Sequence, residues 1–485
     1  MNRVRNNKYD FRKIKFGCAD AQTEGLDFPE LMTSGYVDIE EVVGKALNTG
    51  VFLFLGYKGS GKSSLSEHLR LSGGTEYLVD QQGLKSFPFK SFGKILSIEE
   101  SPVYKAKQIW RWVLCVKILN DLLKDQDAIS DNIREVEKAI SLFTRSGIFP
   151  LVNISDVVSH TSTKSFKSKL KNVEIAADIT DAEGEISLEM ATDFLMKVIV
   201  SYKECRKHVL IIDDLDDVLA PNGTQFNIIS TLIGEAKDLN RFFQTNYIPV
   251  KIIVLCRSDM FERLPDPNKN KIKQDSSFSF SWYDEGVNKP HESKLIKLIN
   301  TRAQLIYPDI NNAIEEFFPR FYKSKSIYNV LLDFTRHTPR DFIQLLNYIQ
   351  KQCTACHVKT SDIEDGLKAY SSDYFIQEIK DEMTGYVNRQ SIEELINVIS
   401  TLRKRDFSYS ELANQIEDNP LLNKVDCVEI LRIMYDCSAI GHVFNFVEDN
   451  STRVTFKYRN RNSTFTTANK IILHQGLWQA LNVNY

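Results

Sequence analysis

The sequence predicts an α/β protein: a parallel sheet covered by helices, with a helical insertion, a helical lid and a small C-terminal domain. Three apolar runs predict the sheet, and each ends in residues suited to phosphate or metal. Residues 51–55 (VFLFL) lead into a glycine-rich turn; residues 209–212 end in Asp213 and Asp214; residues 250–255 end just before Arg257. Short continuous apolar runs rich in Val, Ile and Phe are strands buried on both faces, as parallel strands are.

The first strand delivers the chemistry. Residues 56–63 read G-x-x-x-x-G-K-S, a phosphate-binding loop. Backbone N–H groups along Gly56, Tyr57, Lys58, Gly59, Ser60 and Gly61 converge on phosphate oxygens where larger side chains would intrude. Lys62 would reach the β- and γ-phosphates, Ser63 would ligate Mg²⁺, and Ser64 continues the contact. A helix from Ser63 onward aims its positive end at the same anion. A plain glycine turn is set aside because strand, loop and helix all occur in order. The expected ligands are ATP and Mg²⁺.

Hydrolysis needs carboxylates near the metal and the water. Asp213, at the tip of the second strand, is read as the Mg²⁺-shell ligand. Asp214 is read as the group polarising the attacking water, while Asp216 and Asp217 cap or solvate the turn. Arg257, at the end of the third strand, could reach phosphate oxygens with its forked donors or merely cap a sheet edge. Residues 277–282 alternate with period two and read as an edge strand.

At 485 residues the chain should hold several domains, and its net charge of −3 makes no global case for nucleic acid. The basic first fifteen residues lack an apolar core and do not read as a signal peptide. No apolar run is long enough to cross a membrane, so a cytoplasmic protein without membrane contact is expected. Cys353-x-x-Cys356-His357 matches a haem-attachment spacing, but reads better as a helix end whose thiols pack as small apolar groups.

The loop, the run VLIIDDLDD and the run IIVLCRSD, followed by helices, resemble the AAA+/STAND group of P-loop ATPases. The resemblance implies an ASCE-type core in which Arg257 senses the γ-phosphate. Pro339-Arg340 resembles the Pro-Arg of the lid, which makes Arg340 a second sensor. More narrowly, KFGCADAQTEG, LGYKGSGKS and the closing FKYRNRN and IILHQGLWQAL resemble a bacterial P-loop ATPase family often found near phage-defence genes. That implies a nucleotide-dependent switch in antiviral defence, working with a protein partner or as a homo-oligomer. The alternative is a DNA-binding ATPase resembling replication initiators or loaders. Arg241 and Arg263 are the candidates for an arginine finger.

The expected organisation is a lead-in at 1–36, a core at 37–290 with an insertion at about 101–200, a lid and linker helix at 291–385, and a C-terminal domain at 386–485. Residues 105–123 carry helical spacing within the insertion. Helices at 295–306, 327–334 and 341–353 form the lid, and 362–383 forms the linker. Helices at 391–402, at the capping box Ser408–Glu411, and at 426–435 precede a hairpin of 440–446 and 454–458 turning at 448–450. A strand at 470–473 completes a winged-helix-like pattern. Residues 451–485 contain no Asp or Glu and set Arg453, Lys457, Arg459, Arg461 and Lys470 beside Phe456, Tyr458 and Phe465. Such interleaving makes the wing, 453–470, a candidate nucleic-acid contact.

Overall fold

The apolar runs do become strands. The computed structural model describes residues 8–85, 87–96, 102–145, 147, 153–162, 188–204, 206–215, 223–265, 268–284, 289–384, 386–446 and 451–483. Asp216, Asp217 and the turn at 448–450 lie outside them. The sheet comprises β1 (Leu53–Gly56), β2 (Tyr77–Gly83), β3 (Lys207–Asp213), β4 (Val250–Arg257) and β5 (Ser277–Ser279). All pairings are parallel, in the order β2-β3-β4-β1-β5. β4 therefore lies between the loop strand β1 and the acid-bearing strand β3, the extra strand that the resemblance implies. Register sets Gly56 beside Arg257 and Ile212 beside Val254, so the tips of β1, β4 and β3 share one sheet edge.

By its contacts the chain divides into two units, 40–56 with 65–279, and 1–39 with 57–64 and 280–485. The first contains the sheet and the insertion. Helices Pro102–Leu122, Ile133–Arg145, Ile154–Thr161 and Leu188–Val200 make the insertion helical, as expected. Their apolar faces join the sheet in one buried core, where Trp110 stacks on Phe87 and donates its indole N–H to the Ile228 carbonyl at 2.9 Å. A buried indole needs such a partner, which fixes the Pro102–Leu122 helix against helix Gly223–Thr245.

The second unit holds the lead-in, the loop, the lid and the C-terminal segment. Lid helices Lys294–Gln304, Ala313–Phe317, Ile327–Asp333 and Pro339–Gln352 pack around Phe317, Phe318 and Phe342. The lead-in is stitched to them: Phe11 sits edge-on to Phe318, and Arg302 pairs with Glu24 at 2.6 Å. Thr338 caps the Pro339–Gln352 helix with Pro339 in its first turn, and the helix ends at Cys353. The Cys353 thiol is buried, which pushes its pKa up to about 12, so it packs as a small apolar group. The linker is one continuous run, Thr360–Ala369, then a π-helical Tyr370–Phe375, then Ile376–Thr384.

Helices Arg389–Leu402, Tyr409–Glu417 and Cys427–Asp436 follow, with the capping box formed by Ser408 and Glu411. They adjoin a four-stranded sheet of Asp406–Phe407, Lys470–Leu473, Ile440–Phe446 and Ser451–Thr455. The second hairpin strand thus ends at Thr455, not Tyr458. Phe456 and Tyr458 leave the strand to be buried, Tyr458 stacking on His337 at 5.2 Å.

Candidate active site

The phosphate loop is built from backbone conformations that only glycine adopts without strain. Gly59 has φ +77° and Gly61 φ +96°. A side chain at Gly59 would also meet the lid, since its Cβ would lie 3.0 Å from the Arg340 Cβ and 3.3 Å from the Thr338 Oγ1. The following helix, Lys62–Ser72, starts one residue earlier than expected. Lys62 is nearly buried and donates to the Tyr57 carbonyl at 3.1 Å, which keeps its ammonium over the loop.

Arg340 of the lid and Trp282, which precedes it, grip this loop from the backbone side. The Arg340 N–H donates to the Gly59 carbonyl at 3.3 Å, and the Trp282 indole donates to the Ser60 carbonyl at 2.8 Å. Glu378 joins the two partners of the corner, forming an ion pair with Lys58 at 3.2 Å and accepting from the Arg340 guanidinium at 3.2 Å. Burial raises the Glu378 pKa, but Lys58, Arg336 and Arg340 outweigh it and hold the carboxyl below its usual range. Neither Glu378 nor Trp282 is singled out by the sequence. Glu378 reads as one more solvated acid on the linker helix, and Trp282 as part of a strand that in fact stops at Ser279.

At the sheet edge, Asp213 ends β3 and accepts the Asp214 N–H at 2.8 Å. Asp214 adopts a left-handed backbone, φ +58°, which Asp tolerates better than most residues. A side chain on Gly83, which pairs with Asp213, would come within 2.9 Å of the Asp214 carboxylate. Glycine there leaves that carboxylate its space, and Lys85 stands 3.9 Å from it. Arg257 is buried at the tip of β4 and forks onto the Asp259 carboxylate at 3.0 and 2.7 Å. It is therefore a held group rather than a surface Arg. Arg263 ends the short helix after β4, while Arg241 is carried by helix Gly223–Thr245 to the region where β4 starts, the opposite sheet edge.

The basic stretch 453–470 is not laid out as a stripe. Arg459 pairs with Asp333 at 3.2 Å, Lys470 pairs with Asp406, Lys457 donates to the Ser463 carbonyl at 2.6 Å, and Arg461 donates to the Phe280 carbonyl. Phe456 and Tyr458, expected as stacking platforms, are buried. Arg459, Lys470, Lys457 and Arg461 thus make contacts within their own unit that single-sequence reading could not see.

The Ser63 hydroxyl and the Asp213 carboxylate are each hard oxygen donors of the kind Mg²⁺ prefers. Among the described residues no cluster of three His, Cys, Asp or Glu is built to hold a metal alone. Among the described residues no helix is long and apolar enough to cross a membrane.

The sheet order and the glycine loop are those of a P-loop ATPase fold. A family model described as the FunZ-associated C-terminal helical domain matches residues 293–377, a stretch that includes Arg340. Among solved structures, the chain is similar to the Walker-type ATPase PABY2304 of Pyrococcus abyssi, with 11% identity, TM-score 0.36, and coverage of 87% of this chain and 94% of that one. It is also similar to the Aeropyrum pernix Orc1 protein in complex with DNA, with 11% identity, TM-score 0.34, and coverage of 91% and 89%. No curated protein matches.

Proposed function

We propose that the chain binds ATP with Mg²⁺ at residues 56–64, hydrolyses it, and passes the state of the loop to its lid. The observation that carries this is the corner where Arg340 and Glu378 meet Gly59 and Lys58, because a change in the loop must move the lid helices that hold it. In this reading Lys62 neutralises the β- and γ-phosphates, Ser63 and Asp213 hold Mg²⁺, and Asp214 polarises the attacking water. Arg257 and Arg340 sense the γ-phosphate, each by exchanging a carboxylate, Asp259 or Glu378, for phosphate oxygens.

The domain organisation proposed is the one drawn from the sequence, with the C-terminal segment as a winged helix that docks a protein partner or another copy. Its engaged basic residues favour that over a DNA loader. The resemblance supports a cytoplasmic role in bacterial antiviral defence. The test is a single-turnover assay. Asp214→Asn should bind ATP normally yet hydrolyse it about 10²-fold more slowly, the usual scale for a positioned base. Hydrolysis near the wild-type rate would reject the assignment.

A further inference from the structure

At the sheet edge opposite Gly56 and Asp213 lies a cavity of about 390 Å³ where β3 and β4 begin. Four cations line it, Lys207, Lys237, Arg241 and Lys251, against one carboxylate, Asp275. Lys237 and Arg241 are four residues apart on helix Gly223–Thr245, the spacing that puts two side chains on one face. Like charges so placed repel, and none of the four has a carboxylate within ion-pair distance among the described residues. Lys207 donates to the Leu47 carbonyl at 2.7 Å and Lys251 to the Thr49 carbonyl. These neutral partners orient the ammonium groups without balancing their charge.

Lys251 is the informative member. It is 8% exposed, and a buried cation with no anion is costly unless something supplies one. Burial, and then the neighbouring Lys207, pull its pKa down to about 8, as expected of an ammonium short of negative charge. A merely solvated rim of lysines would leave this one in water.

We propose that this cavity is a second anion site, taking a small phosphate-bearing ligand, independent of the phosphate loop. Its volume is at the lower end of the range for small-molecule pockets. The Arg241 guanidinium supplies forked donors for phosphate oxygens, and Lys237 adds a mobile point charge. Phe52 and Pro249 give the ligand an apolar wall.

The test is calorimetric titration of the full-length chain with inorganic pyrophosphate at physiological salt. Lys62→Ala removes binding at the loop, and the remaining isotherm should still show one pyrophosphate per chain. Adding Lys237→Ala and Arg241→Ala should weaken that site at least tenfold; neither residue has a side-chain partner among the described residues, so the melting temperature should not drop. Should Lys62→Ala fail to fold, the wild-type chain should show two sites and the Lys237→Ala/Arg241→Ala chain one. No binding beyond the loop, or binding indifferent to the pair, overturns the proposal. So does a pocket that ignores pyrophosphate but binds a single-stranded oligonucleotide through the same pair, since that would make it a nucleic-acid contact.

Discussion

Glu378→Gln tests the corner that links loop and lid. The change keeps the shape and removes the charge shared by Lys58 and Arg340, both at 3.2 Å. The two cations are 25% and 28% exposed, so each contact is worth about 1 kcal/mol rather than the larger value of a buried pair. Their loss should cost about 2 kcal/mol and lower the lid's melting temperature by roughly 4–8 °C for a unit of this size. The freed Lys58 and Arg340 no longer have to leave a carboxylate to reach phosphate. ATP should therefore bind about fivefold tighter, the equivalent of about 1 kcal/mol. Because the folded Glu378 pKa lies below its unfolded value, its contribution is complete above about pH 5 and disappears as pH falls through the folded value. The variant should lack that acid-side loss. Thermal melts across pH and a nucleotide titration measure both effects. A variant that melts with the wild type and binds ATP with unchanged affinity would show that the corner couples nothing.

Lys62→Ala should abolish tight ATP binding in a filter or fluorescence assay, because it removes the main positive charge on the phosphates. Asp213→Asn should weaken ATP binding together with its Mg²⁺ dependence, unlike Asp214→Asn, which a magnesium titration of both variants will separate. Gly59→Ala forces a left-handed alanine against Arg340 and should cost about 1–2 kcal/mol of stability, with weaker nucleotide binding. Arg459→Ala should destabilise the protein by about 1–2 kcal/mol in urea melts through its pair with Asp333, while leaving any salt-dependent DNA affinity unmoved.

Much of the sheet and its glycine loop was legible because its chemistry is local. Glycine spacing, a following lysine and a strand ending in acids need no partner to be recognised, and β1, β3 and β4 appear where the apolar runs stand. β2 was not, since Asp80, Gln81 and Gln82 interrupt it. These polar groups find partners far along the chain: Lys117 for Asp80, Ser66 for Gln81, and the Ile154 N–H for Gln82. Glu378 and Trp282 were hidden for the same reason, as each acts on a residue far away in sequence. The wing's contacts were hidden likewise, since Arg459, Lys470 and Arg461 meet Asp333, Asp406 and the Phe280 carbonyl far away in sequence.

The π-helical turn at Tyr370–Phe375 changes how the whole linker is phased. An α-helix advances about 100° per residue, and a π turn holds an extra residue, so side chains after it point to a different compass bearing from those before it. Tyr374, within the turn, hydrogen-bonds Asp341 at 3.1 Å, and Glu378, just beyond it, faces Arg340. Tyr374 and Glu378 stand four residues apart and so share one face, and the slip sets the bearing of that face relative to Thr360–Ala369. Straightening the turn into regular α-helix would swing Glu378 away from Lys58 and Arg340 without touching a single residue of the corner itself.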